Sequence, residues 1–120
     1  MRGLTPAQVI KTMVVRRAAD DYVFVLVPGD RSISWPKLRS PLSVNRISMP
    51  DADEARSVTG YERGTITPLG STNPWPVLAD ETMGGTVSIG GGARGVSLTV
   101  DAHRLIEVLD ASVADITEPV

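Results

Sequence analysis

The sequence predicts a mixed α/β fold built on one strongly curved β-sheet, and three observations predict it. Strand-like apolar runs are interleaved with short helix-like segments. Nine of the eleven glycines fall between Gly60 and Gly95, which gathers the most permissive backbone in the part of the chain expected to line a pocket. A length of 120 residues with 42% hydrophobic side chains supports one domain, 1–120, around one modest core. No period of about 20 to 50 residues repeats, which excludes solenoids and propellers.

The elements follow in order. Thr5 and Pro6 read as the N-cap and first position of about one helical turn ending at Ile10, ahead of the strand-like run Met13, Val14 and Val15. Lys11 then stands at a helix-to-strand junction. Asp20-Asp21 reads as a turn into a strand over 22–27, which Pro28-Gly29-Asp30 ends, so the pair forms a hairpin. Ser34 caps a short helix through Lys37 and Leu38, Pro41 breaks the chain, and 44–49 alternates as a further strand. Asp51 caps a helix running to Val58, with Gly60 just past its end as the C-terminal glycine. Strands are expected over 77–79, 86–89 and 96–100. Asp101 then caps a helix that sets Leu105, Ile106, Val108 and Leu109 at helical spacing.

Composition narrows the chemistry. With no cysteine, the chain has no disulfide, no thiol nucleophile and no thiolate metal ligand. The apolar runs are too short to cross a bilayer and no signal-peptide pattern opens the chain, so no membrane partner and a cytoplasmic location are expected. A net charge of −2 excludes a protein that grips nucleic acid through bulk electrostatics. Of the twelve cationic residues only Lys11 and Lys37 are lysines. An ammonium is a compact point charge where a guanidinium is a planar fork, so a site needing a single donor does not readily exchange one for the other.

Most familiar catalytic patterns fail. Gly90-Gly91-Gly92-Ala93-Arg94-Gly95 satisfies G-x-G-x-x-G, but a strand-like run follows where a dinucleotide site needs a helix; a glycine-rich hairpin turn is the plain alternative. Position 86 is Thr, so Ser88 is not a nucleophile elbow. His103 falls on a solvated helix face, and Asp51, Asp53 and Glu54 read as an acidic first helical turn rather than a metal cluster. Asp20 and Asp21 read as a solvated turn. Tyr61, Trp35 and Trp75 remain without a role.

One loop stands apart. In Gly60-Tyr61-Glu62-Arg63-Gly64-Thr65-Ile66-Thr67-Pro68-Leu69-Gly70, glycines permit positive φ and close approach, while Pro68 fixes its own φ and biases Thr67 to extended backbone. Such a loop presents main-chain groups. Its T-G-Y-x-x-G-x-I-[ST]-P-L-G pattern resembles that of the YbaK-type aminoacyl-tRNA editing family, which includes Cys-tRNA(Pro) deacylases and prolyl-tRNA synthetase editing domains. Two more segments agree in the same order: Lys11-Thr12-Met13-Val14 resembles the family's K-T-L-V, and Gly91-Gly92-Ala93-Arg94-Gly95-Val96 its G-G-x-R-G-L. The segment Ala111-Ser112-Val113-Ala114-Asp115-Ile116 resembles the family's closing strand.

The resemblance implies a barrel-like sheet with helices packed outside it, and a trans-editing deacylase acting on a mischarged tRNA(Pro) such as Cys-tRNA(Pro) or Ala-tRNA(Pro). It implies catalytic roles for Lys11, Gly64, Pro68 and Gly70, and substrate contacts for Thr65, Ile66, Thr67, Gly91, Gly92, Arg94 and Gly95. Neither metal nor other cofactor is implied. The implied partners are the aminoacyl-tRNA acceptor end and prolyl-tRNA synthetase. The chain departs from the pattern in three places. It has ten residues before Lys11, where the family has a further helix and strand. It also has Gly90 where cysteine-specific members commonly carry Ser, and Ser97 where they carry an acid. A missing strand would leave 11–17 as an unpaired edge, for which a homodimer is the simplest cover. Two other classes stay open: a non-catalytic aminoacyl- or nucleotide-binding module, and a protein-interaction domain derived from this family.

Overall fold

The two apolar runs nearest the N-terminus form the middle of a six-stranded sheet. The computed structural model describes residues 5–18, 21–42, 47–60, 75–90 and 97–119. Strand β1 (Val9–Ala18) pairs antiparallel with β2 (Asp21–Pro28), setting Lys11 opposite Val27 and Val14 opposite Phe24. On its other side β1 pairs in parallel with β5 (Thr86–Gly90), Val9 against Ser88 and Ile10 against Ile89. β2 pairs in parallel with β4 (Val77–Asp80), β4 with β7 (Ser112–Ala114), and β5 forms an antiparallel hairpin with β6 (Ser97–Asp101). The order is β6-β5-β1-β2-β4-β7. The sheet is mixed and curled into a half-barrel, as the sequence predicts.

Apolar side chains cover both faces. Ile10, Val14, Phe24, Leu26, Val87 and Ile89 form one cluster with Leu105, and Val15, Val23, Val25, Val27 and Leu78 form a second with Leu38 and Leu42. A strand covered on both sides must be apolar at consecutive positions, which is why β2 lacks alternation. Helix α1 (Trp35–Leu42) supplies Leu38 and Leu42 to the second cluster. Helices α2 (Ala52–Thr59) and α3 (Ala102–Leu109) send Val58 and Leu105 to the first. Among the described residues no helix is long and apolar enough to cross a membrane.

Local chemistry sets the helix ends. Asp51 Oδ1 accepts from Glu54 N at 2.8 Å, Asp101 Oδ2 accepts from Arg104 N at 3.1 Å, and Gly60 closes α2 at φ 82°. Three expectations are revised. The N-terminal turn is a 3-10 turn over Pro6–Gln8 and β1 begins at Val9, so Lys11 is the third residue of a strand. Proline at 41 does not end α1: burial of Leu38 and Leu42 on one helical face carries the helix through Leu42. Of the strand expected over 44–49, residues 44–46 lie outside the described residues, and Ser48 makes a single bridge to Arg16.

β1 is also no edge strand. β2 runs along one side of it, while β5 and the Ser48 bridge pair with the other, and the sheet ends at β6 and β7. On that side β5 reaches Val9 and Ile10 and Ser48 reaches Arg16, so the edge that motivated a homodimer is paired within the chain at its two ends. A second sheet of β3 (Arg31–Ile33) against β8 (Thr117–Pro119) was not anticipated; it joins residues 86 apart in sequence, Arg31 and Thr117 among them.

Candidate functional site

Lys11 is placed by contacts at both ends of the first turn. Gln8 N donates to Thr5 O at 2.9 Å and Gln8 Nε2 donates to Thr86 O at 3.0 Å, which ties the turn to the start of β5. The loop after β2 closes on the same turn, where Gly29 N donates to Val9 O at 2.8 Å and lies 3.1 Å from Pro6 O. A Cβ at Gly29 would lie 2.7 Å from Pro6 O, so only glycine permits this approach. Lys11 is thus held at the end of β1 that lies beside the C-terminal end of β5.

The Lys11 side chain is exposed, and its Nζ donates to Arg31 O at 3.0 Å. An ammonium carries three donors, so this contact orients the head and leaves donors for a ligand. Arg31 is fixed in turn: its Nε donates to Thr117 Oγ1 at 2.6 Å, its Nη2 donates to Thr117 O at 3.3 Å, and Nε lies 3.9 Å from Asp80 Oδ2. Asp80 is fully buried. Burial raises the pKa of its carboxyl, but hydrogen bonds from the hydroxyls of Thr82 and Thr117 and the amides of Ile116 and Thr82 outweigh burial and leave it below its ordinary value.

Thr12 belongs to the lysine motif, but the sequence assigned it no role. Its Oγ1 is buried and has no hydrogen-bond partner among the described residues. A buried hydroxyl left unpaired costs about 1–3 kcal/mol, so a threonine kept here for stability alone would be a poor choice. We expect Thr12→Val to leave the melting temperature unchanged or raise it, because it removes the unpaired group. Thermal unfolding checks this. A clear fall would make the hydroxyl structural.

The described residues that flank the glycine-proline segment are joined. Trp75 Nε1 donates to Val58 O at 2.8 Å, and Trp75 packs edge-on against Tyr22 with ring centroids 5.1 Å apart. The Tyr22 hydroxyl donates to Glu54 Oε2. Of the residues assigned roles from the sequence, Gly64, Thr65, Ile66, Thr67, Pro68 and Gly70 lie outside the described residues, as do Gly91, Gly92, Arg94 and Gly95.

Gly90 and Ser97, the two departures near the second motif, are cross-strand partners at the base of the β5–β6 hairpin. They are one local change. A strand follows the glycine run, so the Rossmann reading fails. His103 is exposed on α3, and Asp51 is the α2 cap, as expected.

Residues 1–117 match the family model of the aminoacyl-tRNA editing domain, and the chain belongs to that family. Over 89 residues, 74% of the chain, it is 34% identical to a proline–tRNA ligase of Lactobacillus gasseri, yet it spans only 16% of that protein's length. It is 23% identical over 117 residues, 96% of this chain and 71% of the other, to EbsC of Enterococcus faecalis, provisionally named a Cys-tRNA(Pro)/Cys-tRNA(Cys) deacylase. A crystal structure provisionally described as a trans-editing enzyme for prolyl tRNA synthetase superposes with a TM-score of 0.89 at 24% identity, covering 97% of this chain and 74% of that one. At that identity the likeness speaks to the fold.

Proposed function

We propose that the protein hydrolyses the ester of a mischarged tRNA(Pro), with Lys11 as the principal catalytic side chain. The observation that carries this reading is the exposed Lys11 ammonium, oriented by a single backbone carbonyl beside the end of β5. An aminoacyl ester is already activated, so positioning and charge at the carbonyl supply most of what hydrolysis needs. Lys11 holds the aminoacyl end or terminal ribose, and main-chain amides of the 64–70 loop polarise the ester carbonyl. The attacking group comes from solvent or substrate: water in the alanine-specific branch of the family, the substrate thiol in the cysteine-specific branch. In the water route, water adds to the carbonyl, the ester C–O bond breaks, and the amino acid and a free ribose hydroxyl are released.

The Gly90–Ser97 pair favours alanine over cysteine, because position 90 lacks the hydroxyl and position 97 the acid common in the cysteine branch. Ala-tRNA(Pro) should therefore be deacylated several-fold faster than Cys-tRNA(Pro), and correctly charged Pro-tRNA(Pro) least. A panel of mischarged tRNAs, followed by release of labelled amino acid, checks the order. Release at the buffer rate for every member would leave a binding module instead.

A further inference from the structure

Three consecutive residues of β1, Arg16, Arg17 and Ala18, line a cleft of about 520 Å³ together with Ile47 and Ser48. In a regular strand neighbouring side chains point to opposite faces, so two adjacent arginines would not share one wall. Here the β1–β2 register slips between Arg16 and Ala18, which makes Arg17 the extra residue of a β-bulge. Bulges re-aim side chains in this way.

The guanidinium groups are only partly committed. Arg17 donates through Nε and Nη2 to Asp21 Oδ1, at 3.2 and 2.8 Å. Arg16 is 42% exposed, and Nε has two long contacts, 3.4 Å to Ala18 O and 3.8 Å to Glu54 Oε2. Both Nη atoms of Arg16 and Nη1 of Arg17 have no protein partner among the described residues. A planar fork with unused parallel donors suits a phosphate better than a point charge does. Glu54 Oε2 lies 3.8 Å from Arg16 Nε and also accepts from the Tyr22 hydroxyl, so it competes for Arg16 as a long contact held in part by Tyr22.

We propose that this cleft binds a phosphodiester of the tRNA backbone, upstream of the aminoacylated end; the assignment rests on the proposed deacylase reading. Lys11 and Arg16 lie five residues apart on β1, about 17 Å at the rise of a strand, and in the regular run between them their side chains leave opposite faces. The cleft is therefore a contact separate from the Lys11 site, met by a part of the tRNA other than its aminoacylated end. The cleft offers one strong phosphate contact, which accords with a chain of net charge −2.

Fluorescence anisotropy with uncharged tRNA(Pro) over a salt series tests it. Arg16→Gln should weaken binding about three- to ten-fold and reduce the slope of log affinity against log salt by about one. Glu54→Gln, which removes the competing carboxylate, should tighten it. In deacylation, Arg16→Gln should raise KM for full-length Ala-tRNA(Pro) with kcat unchanged, while leaving an aminoacylated CCA trinucleotide unaffected. Arg16 makes only long contacts, so the variant should fold, and its melting curve verifies that. Unchanged affinity and slope in Arg16→Gln, or no tRNA binding by the wild type, overturns the cleft assignment. Binding that responds as expected without deacylation of any mischarged tRNA keeps the phosphate site and removes the deacylase reading.

Discussion

Lys11→Ala should lower kcat/KM for the mischarged tRNA by about 100- to 1,000-fold, the scale of losing one preorganised donor at a developing negative charge. The fold should survive. Lys11 is exposed, and its one hydrogen bond, to Arg31 O, is worth about 1 kcal/mol or less to stability. Backbone pairing of β1 with β2 and β5 does not depend on that side chain. Lys11→Arg should fail to restore the rate, because a fork at this position cannot reproduce a compact ammonium on both the Arg31 carbonyl and the substrate. Single-turnover hydrolysis beside thermal unfolding separates the effects. Wild-type rates in a folded Lys11→Ala protein would remove this lysine from the site.

How much of this could be read in advance depended on the distance over which each interaction acts. The caps at Asp51 and Asp101 were legible because a side chain meets a backbone amide three residues away, and the closing Gly60 because its left-handed φ favours glycine. The central strands were legible from apolar runs. The β3–β8 sheet was not, since three residues carry no periodicity and the partner lies 86 positions on. Pro41 misled for a related reason: breaking is a local property of proline, but the helix persists through burial of Leu38 and Leu42 by distant strands. The central place of β1 was invisible too, since β5 reaches it from the far half of the chain. At the site, Lys11 was found by its motif. The unpaired Thr12 hydroxyl and the pairing of Gly90 with Ser97 became visible only once the chain was folded.

Asp80→Asn should cost the protein about 3 kcal/mol, enough to lower the melting temperature by roughly 10 °C or more in a domain of this size. Asp80 ends β4 with its side chain fully buried, and Oδ2 accepts from Thr82 N at 3.1 Å and from the Thr82 hydroxyl. Its Oδ1 accepts from Ile116 N at 3.3 Å, which fastens the link between β7 and β8 to the main sheet. The asparagine amide would point donors at groups that are themselves donors, and Arg31 would lose its buried counter-charge. The pH dependence carries a fixed sign. Because the folded carboxyl titrates below its ordinary value near 3.9, its stabilisation is fully present above about pH 4 and is lost as pH falls through the folded pKa. Wild type should therefore lose stability below about pH 4 more steeply than Asp80→Asn, and the gap between them should narrow there. The same substitution should also slow catalysis, since Asp80 helps seat Arg31 and the Arg31 carbonyl holds Lys11. Unfolding curves from pH 3 to 7 decide the matter: parallel acid limbs for the two proteins would mean that Asp80 carries no charge-dependent stability.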